Sequence, residues 1–418
     1  MLFITLQWWN SGRIQVFDFD AFVWTYSSPP HPRLPSAVTT VEAFEMLRWF
    51  APVFTVLLIS RHAFPVLATS RFYLLVCLNA AANAVLALTH HFQGWEMMYK
   101  TVRDSGKDTY GSFGYPNHAA TFFILLFAFA LGLTFREIFK DRSERQLVRM
   151  APAALVTVLF FFTAQFSASR AGMLGVWLVL LLTLISIAII AWPRIHPVQR
   201  LYASLGALLL LVVLVAGFFM FADPAHLREL RRATTDLDPS REFNARFFQI
   251  ESAIAMWKDH PWFGVGGWGY RYFVGFYIDE SMWTFLGVGK ANVHNDFFQF
   301  LAEFGLVGIT LLGIAFGPAI ARAVRDTFRP PEHPQSLWAF PLRISLAFGL
   351  LLMLAHSMID LPFRSPAVFI HGTLFLVLIS CPHAAPPVWL PKVDWNNLVP
   401  PVRYRPPGES SRRRSENP

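Results

Sequence analysis

Charged residues are scarce in this chain. Asp, Glu, Lys and Arg together make up 15% of its 418 residues, whereas about a quarter of the residues in a soluble domain are charged. Hydrophobic residues make up 54%, which excludes a disordered chain. A soluble protein with one ordinary core is also disfavoured, because it would have to expose large apolar patches.

Cysteine is almost absent, and acidic residues are outnumbered by basic ones. Cys77 and Cys381 lie in apolar runs, without metal-ligand spacing or a disulfide framework, so we interpret them as packing or lipid-facing residues. The net charge is +8. Such a balance fits either nucleic-acid binding or the basic cytoplasmic loops of a membrane protein, and the positions of the charges distinguish the two.

Long runs of Leu, Ala, Phe and Val dominate the sequence instead. Eight charge-free runs approach the roughly 20 residues that cross a bilayer, and a shorter run gives a ninth. They lack the alternation of barrel strands, so we predict an all-α polytopic membrane helix bundle with about nine visible spans. The runs are 46–60, 72–89, 119–135, 150–169, 171–193, 201–222, 304–321, 344–359 and 365–391.

The distribution of Lys and Arg predicts the topology. The short loops on one side carry eighteen of these residues and those on the other side carry seven, so the positive-inside rule places the first set in the cytoplasm. The predicted regions are an outer N-terminal segment 1–45, transmembrane helices 1–6 in 46–222, an outer loop 223–293, transmembrane helices 7–9 in 294–381 and a basic, proline-rich cytoplasmic tail 382–418.

The outer position of segment 1–45 needs an explanation. The apolar stretch Leu2–Trp9 is too short for the core of a signal peptide, and no basic segment precedes it. It resembles the end of an earlier apolar segment. We therefore hypothesise an N-terminally truncated chain that lacks upstream helices, which a longer reading frame encoding an odd number of further spans would support.

The outer loop 223–293 is longer than a connector requires. Its eight basic and nine acidic residues nearly balance, so it is no nucleic-acid-binding surface. Apolar residues at helical spacing predict an amphipathic helix over 243–258, lying on the bundle or at the membrane interface. Arg246 lies at the edge of the apolar face. It could bind a head-group phosphate or simply extend to the interface. The face comprises Phe243, Phe247, Ile250, Ile254 and Trp257.

The same loop contains a glycine motif, Gly264–Gly269, that matches G-x-G-x-x-G. A dinucleotide site requires a buried strand before this motif and a βαβ unit around it. The preceding residues 259–263 form no such strand, so we reject a nucleotide site. The glycines instead predict a tight turn that returns the chain to the membrane.

Polar residues gather at the outer mouth of the 304–321 run. His294 could act as a general base near neutral pH. Alternatively, these residues form a solvated helix N-terminus that Asn295 or Asp296 caps. Glu303 follows nine residues after the histidine, which would place it on nearly the opposite side of a helix beginning there.

Three further polar positions lie on the outer side. Asn117 opens a span, and Arg170 lies in a very tight turn between two apolar runs. His356, Asp360 and Arg364 follow at intervals of four residues and would share a helix face. Charges at such depths usually mark a pathway or a site, although this trio could equally form an internal ion-pair ladder.

The order of these motifs resembles the O-antigen ligase and polymerase superfamily of bacterial envelope glycosyltransferases. The resemblance covers roughly residues 110–375 and no single piece is specific alone. The matching pieces are Gly111-Ser-Phe-Gly-Tyr-Pro-Asn117, Ser169-Arg170-Ala-Gly172, Arg246, Ala253-Ile-Ala-Met-Trp257, His260-Pro-Trp-Phe-Gly-Val-Gly266, His294-Asn295 and Glu303-Phe-Gly-Leu-Val-Gly308.

The resemblance implies an inverting, metal-independent glycosyl transfer on the periplasmic face of the bacterial inner membrane. The donor would be an undecaprenyl-diphosphate-linked glycan, and the acceptor a lipid A-core or glycan hydroxyl. No cofactor or nucleic acid is implied. Arg170 and Arg246 would bind the diphosphate, and His294 would deprotonate the acceptor. We add as candidate substrate-binding residues Asn117, Asn295, Glu303, Asp360 and Arg364.

Several functions remain open at this stage. A polymerase or a protein O-oligosaccharyltransferase differs from a ligase only in its acceptor, which depends on loop shape. A secondary transporter or flippase could use the His356–Asp360–Arg364 ladder, but no inverted repeat is visible. A non-catalytic scaffold is disfavoured by the polar residues on one face.

Overall fold

The fold was analysed in a computed structural model. Among the residues that it describes are twelve α-helices and one two-stranded β-hairpin. The described residues are 1–12, 15–20, 22–67, 70–93, 110–140, 146–167, 169–191, 196–221, 239–278, 291–327 and 339–380. The predicted tail 382–418, the parts 223–238 and 279–290 of the predicted outer loop and Cys381 lie outside them.

Nearly every apolar run of the sequence falls on a helix. We number the elements in chain order. They are α1 (Leu2–Trp9), β1 (Gln15–Asp18), β2 (Val23–Tyr26), α2 (Thr40–Leu67), α3 (Ser70–Gln93), α4 (Pro116–Lys140), α5 (Gln146–Gln165), α6 (Arg170–Ser186, extended by the π-helical turn Ile187–Ala191), α7 (Pro197–Phe221), α8 (Pro239–Asp259), α9 (Tyr270–Phe273), α10 (Asp296–Thr327), α11 (Phe340–Ser357) and α12 (Pro366–Ser380).

Helix α4 forms the centre of the bundle. It begins at Pro116, a residue suited to a first turn because its missing N–H is not needed there. Its sides pack against α5, α6 and α11, and almost all of its apolar residues are buried. Gly349 lets α11 approach closely, since a Cβ there would lie 2.7 Å from Cβ of Ala128. Small residues thus allow two membrane helices to pack backbone against backbone.

Within the part of the chain that the structure describes, five helices are long and apolar enough to cross a membrane. They are Arg71–Gln93, Pro116–Phe139, Arg170–Ile189, Asp296–Thr327 and Phe340–Ser357, and shorter apolar helices are Met150–Gln165, Arg200–Ala216 and Pro366–Ser380. The prediction of an all-α polytopic bundle is therefore confirmed, but the number of nine spans is not. The small hairpin β1–β2 was not predicted, because each strand has only four residues.

The long helix α10 is interrupted at Gly305, where the backbone adopts φ +62° and ψ −171°. The segment 261–266 inserts at this break and pairs with it through backbone hydrogen bonds. Val265 N donates to Ala302 O at 3.0 Å, and Leu306 N donates to Pro261 O at 2.9 Å. The peptide groups at these positions are therefore paired, and the break causes no loss of stability from unpaired N–H or C=O groups there.

The glycine motif explains this insertion. Gly264 and Gly266 have φ values of +65° and +94°, and a Cβ at Gly264 would overlap the backbone of Glu303. The prediction of a tight turn is thus supported, and its purpose is close approach to a helix backbone.

Helix α8 confirms the predicted amphipathic helix, but the buried face differs from the predicted one. Its buried residues are Gln249, Ser252, Ala253 and Met256, which face α10. Phe247 of the predicted face is 50% exposed. The small side chains of Ser252 and Ala253 lie on the covered face, where they permit a close approach to α10.

The prediction that His356, Asp360 and Arg364 share a helix face is wrong. Helix α11 ends at Ser357, and Arg364 lies in the 3-10 turn Pro362–Arg364. Proline cannot donate a helical hydrogen bond and disfavours helix in the residue before it. The chain therefore leaves the helix before Asp360, and the three side chains do not form one ladder.

Candidate active site

A buried carboxylate, Asp360, collects hydrogen bonds from several segments at one end of the bundle. Tyr115 Oη donates to its Oδ2 at 3.0 Å, and Asn117 Nδ2 donates to the same oxygen. The backbone N–H of Leu361 donates to Oδ1 at 2.8 Å. His356 Nε2, at the end of α11, lies 3.8 Å from Oδ2. Asp360 is thus held by donors from the start of α4 and from its own turn.

His294 lies against the other side of this carboxylate. Its Nδ1 is 3.4 Å from Asp360 Oδ1, and its side chain is 33% exposed, compared with 2% for Asp360. The backbone of His294 has φ +52°, a left-handed conformation that is rare for residues other than glycine. Strain of this kind persists only where the surroundings fix the backbone, and it clusters at functional sites.

Asn295 fixes the backbone beside His294. Its Nδ2 donates to Met358 O at 2.8 Å, while its Oδ1 accepts from Phe298 N at 3.2 Å. Asn295 therefore caps α10, as one of our alternatives predicted, and it joins this cap to the turn that carries Asp360. His294 precedes the helix and remains accessible.

The charges around Asp360 keep it ionised. Burial alone would raise the pKa of Asp360, but the hydrogen bond from His294, the two neighbouring imidazole rings and the hydrogen bond from Asn117 lower it to about 2. Burial and the adjacent carboxylate raise the pKa of Tyr115 well above its ordinary value. Tyr115 therefore stays protonated and donates to Asp360.

Two arginines were predicted to bind a diphosphate. Arg246 lies in α8 and is partly buried, and its charge opposes the rise that burial causes in the pKa of Tyr115. Arg170 begins α6 and is exposed. A Cβ at Gly172 would lie 2.8 Å from Cβ of Ala120 in the first turns of α4. Arg170 is therefore at the same end of the bundle as Asn117.

Glu303 and Arg364 form a separate, buried ion pair. Arg364 Nη2 binds Glu303 Oε2, and Gln299 Nε2 donates to Glu303 Oε1 at 3.0 Å. The guanidinium also stacks over Trp268, 4.3 Å from the ring centroid. These two residues thus bind each other, and contact with a substrate stays a prediction for both.

Sequence reasoning missed Tyr115 and Thr121 as members of the site. Thr121 Oγ1 lies 2.6 Å from His356 Nδ1 and orients that ring toward Asp360. Tyr115 immediately precedes the Pro116–Asn117 pair that opens α4, so its position in the motif was an available signal. Among the described residues, no group of three or more His, Cys, Asp or Glu side chains is arranged to hold a metal ion.

Comparison with known proteins gives one match to a family model. Residues 153–313 match the family model described as O-antigen ligase. This range includes Arg170, Arg246 and His294 and ends inside α10. No curated protein matches the chain. Together with its long apolar helices, the match describes a multi-pass membrane protein. Over residues 153–313 the chain is therefore similar to the O-antigen ligase family.

Proposed function

We propose that the protein transfers a glycan from undecaprenyl diphosphate to an acceptor hydroxyl, with lipid A-core as the leading acceptor. The family supports a glycosyl-transferring enzyme of the ligase or polymerase type. The observation that carries the finer proposal is the accessible, strained His294 against the buried carboxylate of Asp360.

In the proposed reaction, His294 acts as the general base. With Nδ1 protonated and directed at Asp360, its Nε2 carries the lone pair that accepts the proton of the acceptor hydroxyl. The hydroxyl oxygen attacks the anomeric carbon of the donor from the face opposite the diphosphate. The bond from this carbon to the diphosphate oxygen breaks, and its electron pair leaves with undecaprenyl diphosphate. The product is an inverted glycoside.

The two arginines stabilise the leaving group in this proposal. Negative charge grows on the diphosphate oxygen as the bond breaks, and guanidinium groups bind such oxygens in a bidentate manner. Arg246 approaches from α8, while Arg170 approaches from the start of α6. The donor's lipid tail requires a site at the edge of the bilayer, which agrees with a position at the ends of apolar helices. We place this face in the periplasm and the bundle in the bacterial inner membrane.

Neighbouring functions are distinguished by the glycans of a deletion strain. Loss of all long-chain lipopolysaccharide bands, with accumulation of lipid-linked polymer, is the expected result for a ligase. A band with a single repeat unit would indicate a polymerase instead. Complementation with His294→Ala should leave the deletion phenotype unchanged, whereas restoration of wild-type bands by this variant would contradict the proposed base.

A further inference from the structure

An additional cavity lies apart from the Asp360 site, between the hairpin and the segment that follows α8. Its volume is about 410 Å³, which is within the range of small-molecule sites. One wall consists of the end of β2 and the residues after it, Thr25 to Pro32. The opposite wall runs from His260 to Tyr277.

Aromatic rings form the inner surface of this cavity. The ring centroids of Tyr26 and Phe273 are 4.7 Å apart, and those of Tyr26 and Phe276 are 5.8 Å apart. Phe273 is buried in a small apolar core, which makes this wall rigid. Phe276 nevertheless remains 46% exposed. An aromatic lining with a few polar groups in a cavity is typical of a binding site.

Hydroxyl groups complete the lining. Thr25, Ser27 and Ser28 contribute them along the strand end, and Tyr277 Oη is oriented by a 2.8 Å hydrogen bond to Asp259 Oδ2. Among the residues that line the cavity, His260 alone can carry a positive charge near neutral pH. The chemistry therefore does not favour a diphosphate, which requires Arg or Lys, and the hydroxyls do not favour a lipid chain.

A sugar ring matches this combination of groups. Its C–H face packs against an aromatic face, while the hydroxyls at its edge exchange hydrogen bonds with protein hydroxyls. Serine and threonine hydroxyls can both donate and accept, so they adapt to either role. The cavity, of about 410 Å³, is large enough for a group the size of a sugar ring.

The position of the cavity shows which part of a glycan it could bind. Arg246 precedes His260 by fourteen residues, and the chain is helical from Arg246 to Asp259, the last residue of α8. This spacing corresponds to about 21 Å along the helix axis. The cavity is therefore too far from the diphosphate site to hold the reacting sugar.

We propose that this cavity is an oligosaccharide subsite that binds sugars several units away from the reacting one. The proposal rests on the glycosyl transfer proposed above, and it adds a specificity site outside the reaction centre. The bound oligosaccharide belongs either to the donor glycan or to the acceptor core, which have the same chemistry. Binding here would select glycans by their length and their distal sugars.

The test measures oligosaccharide binding by the full-length protein in lipid nanodiscs. One probe is the soluble oligosaccharide released by mild acid from the lipid-linked donor, and the other is delipidated core oligosaccharide. The variants are Phe276→Ala, which removes an exposed ring, and Ser28→Trp, which fills the cavity from an exposed position. Phe44→Ala is the matched control, because Phe44 is also 46% exposed and packs against one aromatic ring.

The wild type and Phe44→Ala should bind one of the two probes with equal Kd, and the probe that binds identifies the source. Both cavity variants should raise that Kd about tenfold, which corresponds to a loss of roughly 1.4 kcal/mol of binding free energy. Failure of both probes to bind the wild type, or the same Kd in all variants, would overturn the subsite. His294→Ala should bind the probe normally, so a failure of glycosyl transfer is distinguished from a failure of the subsite.

Discussion

At the scale of single residues, the site depends on one carboxylate that several donors share. Asp360 directs the imidazole of His294 and accepts hydrogen bonds from Tyr115 and Asn117. Since its pKa in the fold is about 2 and thus below its ordinary value, the ionised carboxylate stabilises the fold above pH ~4. This stabilisation is lost as the pH falls through about 2, so it is fully present at neutral pH.

Replacement of the carboxylate by an amide tests the orientation of His294. Asp360→Asn should lower transfer by roughly 10²–10⁴-fold, because an amide N–H facing the ring favours the wrong tautomer. Tyr115→Phe is the control, since it removes one donor to the same carboxylate and retains the charge. Tyr115→Phe should lower the transfer rate by less than about tenfold. Transfer rates of both variants are compared at equal expression, and near-normal turnover of Asp360→Asn would contradict the proposed orientation.

Arg170 can be tested by retaining its charge. Arg170→Lys should be nearly as damaging to transfer as Arg170→Ala, since lysine lacks the planar fork that binds two phosphate oxygens. The measurement is complementation of the deletion strain together with the transfer rate in isolated membranes. Full complementation by the lysine variant would show that Arg170 has only a structural role in its turn.

Arg246 should act on donor binding as well as on turnover, because the diphosphate is charged before the reaction begins. Arg246→Ala should raise the Kd of the lipid-linked donor by about ten- to a hundredfold. Lys258→Ala is a matched control, because Lys258 is an exposed cation near the other end of α8. An equal effect of the two substitutions would reduce the role of Arg246 to general surface charge.

At the scale of elements, the interruption of α10 joins the segment that follows α8 to the bundle. The insertion of 261–266 at the break fixes the end of α8 relative to the helix whose N-terminus follows His294. The loop that carries Arg246 and the segment that carries His294 are therefore positioned by backbone hydrogen bonds.

Gly305 tests this connection. Gly305→Ala should lower the free energy of unfolding by about 1–3 kcal/mol, because alanine is strained at φ +62° and its Cβ would overlap the backbone of Trp262. Gly313→Ala in the same helix has nothing within 4 Å of the added Cβ and should be nearly neutral. Thermal unfolding in detergent distinguishes the two. Equal stability of the variants would mean that the break is not held in place by the inserted segment.

The elements themselves were largely predictable, and their exceptions have identifiable causes. Hydrophobic runs located the helices because a membrane span must be apolar along its whole length. A lone glycine inside an apolar run does not signal a break, so the change of direction at Gly305 could not be seen. The end of α11 before Pro362 was in principle available from the sequence, since proline disfavours helix in the residue before it. The packed face of α8 depends on its partner α10, which periodicity alone does not include.

At the scale of the whole molecule, the site is assembled from segments distant in sequence. His294 and Asp360 are 66 positions apart, and Asn117 is 243 positions from Asp360. Motif order suggested these residues individually, but only tertiary packing brings them to one carboxylate. The same packing pairs Glu303 with Arg364, because a buried charge requires a partner of opposite charge. Sequence alone could not divide the polar residues between these two clusters.

The proposed mechanism also predicts how transfer by the whole protein responds to divalent metal ions. Transfer from purified lipid-linked donor should proceed without added divalent metal or nucleotide, since the proposed arginines supply the positive charge that a metal would otherwise provide. The rate should be the same in EDTA and in Mg²⁺ or Mn²⁺. Loss of transfer in EDTA and recovery with either ion would remove the proposed mechanism.

The measurement that tests the central claim most directly is the single-turnover transfer rate of His294→Ala in nanodiscs, with donor affinity and thermal stability measured on the same preparation. The proposed general base predicts a rate lowered by ~10²–10⁴-fold, with unchanged donor binding and folding. A histidine that only occupies the turn before α10 predicts at most ~1 kcal/mol of lost stability and nearly normal turnover. Near-normal turnover would contradict the catalytic role and leave a membrane protein that binds a lipid diphosphate.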